Sequence, residues 1–246
     1  MSLIASFTKK SKLNATIKQT AQARKSEGNT ADGLFKASYQ GYAEVLQDDP
    51  LRAEALYHWG FALLHQAKIK TGDEAAKIYL DAINKFAFCL LINPDYLGAA
   101  INGGVAYMDL ARLKKAKPAD ELYELAKKQF EKANAIQAGT ASYNLACIYG
   151  LRGNKDACLK ALENARNKVT LPEASEMLND PDLASVKGQE WFVEFMETLN
   201  KKPETEEVVV EKPSAKWVVV ERKPASEDAV TEQQVLAEAS PVEEAK

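Results

Sequence analysis

The side chains in this chain that could carry acid–base or metal chemistry are few and widely separated. The two histidines, His58 and His65, lie seven positions apart in a stretch with helical periodicity, which places them near one helix face. Two imidazoles need a third ligand to hold zinc, and the candidate thiol, Cys147, is distant in sequence. The paired acids Asp48 and Asp49 fall where a helix is expected to end, so turn chemistry explains them. We therefore predict no metal site and no cofactor.

Sequence motifs for catalysis are also missing from the chain. It contains no glycine-rich phosphate loop, no nucleophile elbow and no His-Glu metalloprotease motif. An enzyme would need a pocket assembled from residues that the sequence does not single out. We therefore expect a protein without catalytic residues.

The elements that must position these side chains are organised by a repeat with a period of 44 residues. Residues 53–138 contain one unit written twice without a gap. Such a period indicates an array of stacked supersecondary units. The matching residues are Gly60 and Gly104, Ala62 and Ala106, Ala67 and Ala111, Tyr79 and Tyr123, Ala82 and Ala126, and Phe86 and Phe130.

Within each copy, small and large apolar residues recur at helical spacing. A small residue such as Gly60 or Gly104 allows a second helix to approach closely, and an aromatic residue fills the neighbouring gap. Pro94 ends one unit and positions the next. The spacing predicts helices at about 53–70, 74–92, 97–115, 119–137, 141–151 and 155–168, followed by short helical turns and a final amphipathic helix at 189–199.

This pattern resembles the tetratricopeptide repeat, W-x2-L-G-x2-Y…A-x3-F…P. It is carried by Trp59-Gly60-x2-Leu63 and Ala82-x3-Phe86, and the resemblance covers residues 37–166. The usual unit has about 34 residues, so about ten extra residues lie between the two helices of each copy. We expect these, residues 68–77 and 112–121, to form longer helical arms. Residues 143–149, 178–183 and 191–192 resemble the closing segment of bacterial arrays of this family.

The resemblance implies an all-α fold, a right-handed α-solenoid of antiparallel helix pairs with N- and C-terminal capping helices and a disordered C-terminal tail. We expect an N-terminal amphipathic helix at 1–28, a repeat domain at 29–200 and an acidic disordered tail at 201–246. The repeat units are expected at about 29–50, 53–94, 97–138 and 141–168, with a cap at 171–200. In that cap, Trp191, Phe192 and Phe195 are expected to pack on the array.

Two segments outside the repeats leave alternatives open. The N-terminal helix carries Leu3, Phe7, Leu13, Ile17 and Ala21 on one side, and it either caps the first repeat or lies on a membrane surface. The tail contains two valine runs, at 208–213 and 218–224, which are either β-strand-adding motifs for a partner or a neutral spacer.

Family resemblance also suggests where a partner binds. In tetratricopeptide proteins the first helix of each pair lines the concave groove, and its residues next to the packing motif point into it. The asparagines there can hydrogen-bond a bound peptide backbone, and the other side chains suit apolar partner residues. These positions carry no Lys or Arg, which argues against a clamp for a C-terminal carboxylate. The candidate groove residues are Tyr57, His58, Phe61, Ile101, Asn102, Val105, Tyr143 and Asn144, with Cys147 beside them.

We accordingly expect a non-catalytic adaptor that binds a peptide or amphipathic helix of another protein; the alternative is a scaffold that assembles by stacking copies of itself. A net charge of −3 indicates no basic surface for nucleic acid, so we expect no nucleic-acid partner. No segment has the ~20 apolar residues of a membrane span, so stable membrane insertion is not expected. Cys89, Cys147 and Cys158 are expected to be buried free thiols in a reducing compartment, which predicts a cytoplasmic protein.

Overall fold

The computed structural model describes residues 3–50 and 52–200, with side chains for residues 10–50 and 52–199. Every regular element in these ranges is helical, as the sequence predicts. One compact unit ends at Phe192, and a second begins at Val193. The helices are α1 (Leu3–Arg24), α2 (Gly28–Asp48), α3 (Ala53–Lys68), α4 (Gly72–Ile92), α5 (Leu97–Leu113), α6 (Glu121–Ile136), α7 (Ser142–Leu151), α8 (Lys155–Asn167), α9 (Ala174–Asn179), a 3-10 helix (Pro181–Leu183) and α10 (Glu190–Asn200).

The first eight helices form four consecutive pairs. Helix α1 packs on α2, α3 on α4, α5 on α6 and α7 on α8, and each pair also contacts the next. Among the first helices of the pairs, α3 contacts both α1 and α5. The all-α fold of tetratricopeptide-like helix pairs is therefore confirmed for the described residues.

The 44-residue period corresponds to one packing contact made twice. Phe86 and Phe130 are both essentially inaccessible to solvent, at 1% and 0% exposure. A methyl group added at Gly60 would lie 2.8 Å from the Phe86 ring, and one added at Gly104 would lie 2.5 Å from the Phe130 ring. Each glycine therefore leaves the room that the aromatic ring of its partner helix fills, and the two phenylalanines occupy equivalent surroundings.

Helix α1 contributes a mixed polar and apolar side to the first pair. Leu13 is fully buried, but the expected apolar position Ala21 is exposed, whereas Thr16 and Thr20 are buried. The hydroxyls of Thr20 and Tyr42 are hydrogen-bonded at 2.8 Å, and Gly41 lets α2 approach Thr16 closely. The buried side of α1 thus faces α2, as expected of a helix that caps the array.

The extra residues of the two repeats adopt different structures. In the first repeat α4 begins at Gly72, so most of the insertion lengthens that helix. In the second, α5 ends at Leu113, Lys115 adopts a left-handed backbone with φ of 51°, and Asp120 caps α6 by accepting a hydrogen bond from the Leu122 backbone NH at 2.9 Å. The expectation of a longer helical arm at 112–121 is therefore wrong: the left-handed backbone at Lys115 ends α5, and Pro118 has no backbone NH for the hydrogen bond that a continuous helix would need.

The C-terminal side chains expected to cap the array are buried. Trp191 and Phe192 are at most 7% exposed and meet edge to face, and Phe195 in the second compact unit is 4% exposed. The tail and its two valine runs lie outside the described residues.

Candidate partner-binding surface

Tyr57 lies in the interface between two helix pairs. It is 7% exposed, and its ring contacts that of Tyr96 at a tilt of 33°, with 4.9 Å between centroids. Gly98 leaves room for the same ring, since an added methyl group would lie 2.9 Å from it. The Asn102 amide donates a hydrogen bond to the Tyr57 hydroxyl at 3.3 Å. Tyr57 therefore positions α5 against α3 and offers little area to a partner.

The remaining predicted side chains of α3 and α5 form a half-buried surface. Phe61 follows His58 by three residues on α3, Val105 follows Ile101 and Asn102 by four and three residues on α5, and the two helices are in contact. None of them is fully buried, so each retains area for a partner. We call this set the α3–α5 surface; it comprises His58, Phe61, Ile101, Asn102 and Val105.

Aromatic contacts and a guanidinium hold the α3 part of this surface in place. His58 meets Tyr57 edge to face at 5.0 Å, and His65 meets Phe61 in the same way at 4.4 Å. The Arg24 guanidinium of α1 lies over the Phe61 ring at 5.0 Å, which is a cation–π geometry. The orientation of Phe61 is therefore fixed before any partner arrives.

Both histidines are neutral at physiological pH. Burial lowers the pKa of His58 to about 4, against a smaller opposing effect of Glu54. Burial, with the charges of Arg24 and Lys68, lowers the pKa of His65 to about 4. The imidazoles therefore extend the apolar surface and add no positive charge.

We expect the protein to lose stability as the pH falls from about 6.5 towards 5. The unfolded chain binds protons at its histidines near pH 6.5, whereas the folded chain resists this until about pH 4, so acid favours unfolding. Urea unfolding at several pH values measures the effect. A variant with His58→Gln and His65→Gln should show a flatter profile, and NMR pKa values near 6.5 in the folded wild type would contradict the prediction.

The α7 part of the predicted groove is partly covered by the chain itself, although Tyr143 and Asn144 remain half-buried. The Tyr143 hydroxyl donates a hydrogen bond to an Asp180 carboxylate oxygen at 2.7 Å, and the Cys147 sulfur lies 3.6 Å from the same atom. Cys147 is buried. We call residues 178–183 the strap. They comprise the end of α9, Asp180 and the 3-10 helix, which packs on α7.

An ion-pair chain ties the strap to α5. Arg112 donates to Asp182 from Nε at 3.2 Å and also pairs with it through Nη2. Its Nη1 pairs with Asp109 at 2.6 Å, and Lys68 lies 3.6 Å from the other Asp109 oxygen. Because Asp182 is only 4% exposed, its carboxylate depends on Arg112 for compensation.

One group of potential metal ligands occurs in the part of the chain that the structure describes. The ligand atoms of Cys147, Asp180 and Asp182 lie within 4.8 Å of one another. Burial, with the neighbouring carboxylates, raises the pKa of the Cys147 thiol well above its ordinary value, whereas metals bind the thiolate. Tyr143 and Arg112 already bond the two carboxylates, so the group is satisfied within the protein.

The other two cysteines are also buried free thiols, as predicted. Cys89 and Cys158 have no solvent exposure. Burial raises the pKa of each to about 12. They act as small core residues of α4 and α8.

The paired helices, the glycine–phenylalanine contacts and the surface on the first helices define a tetratricopeptide-like helical-repeat protein. More particularly, residues 33–151 match the model of the family described as plant specific mitochondrial import receptor subunit TOM20. The matched range includes α3 and α5 entirely. No curated protein sequence matches the chain.

Among solved structures, the chain is similar to one titled "Crystal structure of MamA". The two are 21% identical over 58% of this chain and 95% of that chain, with a TM-score of 0.31.

These findings correct the expected localisation. The prediction of a cytoplasmic protein is wrong, because the matching family consists of mitochondrial import receptor subunits. The bacterial character expected of the repeats receives no support, since the same family is plant specific. Within the described residues, none of the helices is long and apolar enough to cross a membrane.

Sequence reasoning missed three contributors to this region. Tyr96 and Gly98 enclose Tyr57 and lie outside the repeat pattern, Tyr96 just before α5 and Gly98 in its first turn. Arg24 comes from α1, which has no counterpart in the repeat. The strap was expected as short helical turns within a segment that resembles the closing segment of the family, and its local signal is the apolar spacing of Met177, Leu183 and Val186, all fully buried.

Proposed function

We propose that this chain is a non-catalytic receptor that binds an amphipathic segment of a partner protein on the α3–α5 surface. We propose further that its partners are proteins destined for mitochondria. The match of residues 33–151 to an import receptor subunit supports the class of partner. The observation that carries the proposal is the half-exposed apolar surface on two adjacent first helices within that matched range.

The chemistry of the surface suits one side of an amphipathic helix. Phe61, Ile101 and Val105 provide apolar contact area, and neutral His58 adds to it. Asn102 still has a carbonyl oxygen and a second amide hydrogen for the polar edge of a bound segment. Helices with apolar anchors at positions i, i+3 and i+4 bind to grooves of this composition.

We expect a variant with Phe61→Ala and Val105→Ala to bind such a segment at least tenfold more weakly. The probe is a fluorescent 15-residue peptide with leucines on one helical face and arginines on the other, measured by anisotropy. Removing these two side chains takes away much of the apolar contact area, and central apolar anchors typically cost about 2 kcal/mol each. Variants Asn102→Ala and Asn144→Ala test the polar contacts in the same assay.

The matched control removes as much apolar surface from the second helix of the same pair. Phe88 and Leu91 of α4 are 56% and 76% exposed, so Phe88→Ala with Leu91→Ala should leave peptide affinity unchanged. A scrambled peptide of the same composition should bind poorly to the wild type. Equal losses in both double variants, or equal binding of the scrambled peptide, would contradict the assignment of the surface.

A second candidate function is self-assembly into a scaffold. The outer side of α4 exposes Leu80, Phe88 and Leu91, which is the observation that favours it. Light scattering over a concentration series tests this: we expect a monomer throughout, because three side chains provide far less than the ~800 Å² per partner of a stable interface. A mass that rises with concentration, and falls in the Phe88→Ala, Leu91→Ala variant, would favour the scaffold.

A further inference from the structure

The strap occupies the position that a partner would take on α7. Two of the three predicted groove side chains on that helix, Tyr143 and Cys147, have their polar atoms turned to Asp180 of the strap. Cys147 is buried, whereas Phe61 and Val105, at the matching positions of α3 and α5, are half-buried. The strap therefore closes the Cys147 position on α7, while Tyr143 and Asn144 remain half-buried, like the residues of the α3–α5 surface.

Buried apolar residues and polar bonds together fix the strap. Leu183 is fully buried, and its side chain lies 3.0 Å from the point where a methyl group on Gly150 would be. Met177 before the strap and Val186 after it are also fully buried. Ser185 donates a hydrogen bond to the Gly150 carbonyl at 2.7 Å. These contacts hold the strap in place on α7, where it bounds the partner-binding surface.

The strap lies outside the range that matches the receptor family, which ends at residue 151. The ion pair between Arg112 and Asp182 nevertheless joins it to α5, inside that range. The open surface therefore ends at a charged border formed by Asp109, Arg112 and Asp182.

We infer that the strap is an internal ligand that closes the α7 end of the partner-binding surface and so sets the length of segment the receptor accepts. This inference rests on the proposed function. First helices in contact lie about 8–10 Å apart, so α1, α3 and α5 together span about 16–20 Å between their outer axes. A helix rises about 1.5 Å per residue, and the open surface therefore accommodates about 11–13 residues.

The experiment compares amphipathic peptides of 12 and 24 residues with the same leucine–arginine pattern on full-length protein. The variant is Asp180→Ala with Asp182→Ala, which removes the acceptors for Tyr143, Cys147 and Arg112 while Arg112 keeps Asp109. The control is Asp156→Ala with Glu163→Ala, two exposed acids on α8. In wild type and control we expect the 24-residue peptide to bind within twofold of the 12-residue peptide. In the strap variant we expect it to bind at least fivefold more tightly.

A second readout needs no bound peptide: the rate at which a thiol reagent labels Cys147 reports whether the strap covers this residue. Mass spectrometry of the digested protein identifies which cysteine is labelled. We expect slow labelling in wild type and control and at least tenfold faster labelling in the strap variant, with Cys89 and Cys158 remaining slow. If circular dichroism shows that the double variant is unfolded, Asp180→Asn alone supplies the same comparison, since it weakens the bonds to Tyr143 and Cys147 and keeps an oxygen that can accept from the Asp182 backbone NH.

The two readouts separate the possible failures. Fast labelling of Cys147 in the wild type overturns the inference. Fast labelling of Cys147 in the strap variant without tighter binding of the 24-residue peptide also overturns it. If neither peptide binds any variant, the proposed function fails, and the labelling rates still decide whether the strap closes α7.

Discussion

Replacing Phe130 with alanine is expected to lower the free energy of unfolding by about 3–5 kcal/mol, the range found for buried phenylalanines. The ring is fully buried and fills the space beside Gly104. Because the surrounding helices are held by their own contacts, the site cannot collapse and a cavity remains. Urea unfolding followed by circular dichroism measures the loss.

Two further variants test whether the loss of stability in Phe130→Ala comes from the packing of a buried ring. Phe88→Ala removes the same side chain from an exposed position, so we expect a loss below about 1 kcal/mol. Gly104→Ala adds a methyl group 2.5 Å from a ring that cannot move, so it should also destabilise, although alanine is the better helix former. A Phe130→Ala loss no larger than that of Phe88→Ala would contradict the repeat core described above.

Arg112→Ala is expected to cost about 2–3 kcal/mol, because it leaves the buried Asp182 carboxylate without its cation. Breaking a fully buried pair typically costs about 3–5 kcal/mol, and the value is smaller here because the Arg112 side chain is 39% exposed. Urea unfolding again provides the measurement.

Coupling between the two residues is the decisive control. The double variant Arg112→Ala, Asp182→Ala should lose less than the sum of the single variants, since no buried charge remains unpaired. Lys12→Ala is the control for an exposed ion pair: Lys12 and its partner Glu44 have side chains that are 43% and 40% exposed, so the loss should stay below about 1 kcal/mol. Additive losses for Arg112 and Asp182 would show that the pair does not hold the strap.

The repeat core could be predicted from sequence because its determinants recur at a fixed spacing. Gly60, Gly104, Phe86 and Phe130 show by their types alone which helices approach closely, and the structure confirms it. The first pair was harder to predict, because α1 packs through Thr16 and Thr20 and not through a continuous apolar stripe. A hydroxyl pair such as Thr20–Tyr42 has no periodic signature.

The candidate surface could be predicted only in part, because its limits depend on long-range contacts. Position within the repeat singles out Phe61 and Val105, and both are half-buried on first helices. It could not reveal that Tyr143 and Cys147 meet Asp180, more than 30 residues later in the chain. An Asp-Pro-Asp sequence is equally typical of an isolated turn, and nothing local indicates that it covers another helix.

The salt bridge that joins α5 to the strap also determines which helices unfold together. Most contacts in the array connect neighbouring helices, an arrangement in which one pair can unfold while the others stay intact. Arg112 and Asp182 are 70 positions apart and enclose α6, α7 and α8 between them. These helices therefore unfold as one cooperative unit. Their backbone amides become accessible to hydrogen exchange together once the Arg112–Asp182 salt bridge breaks.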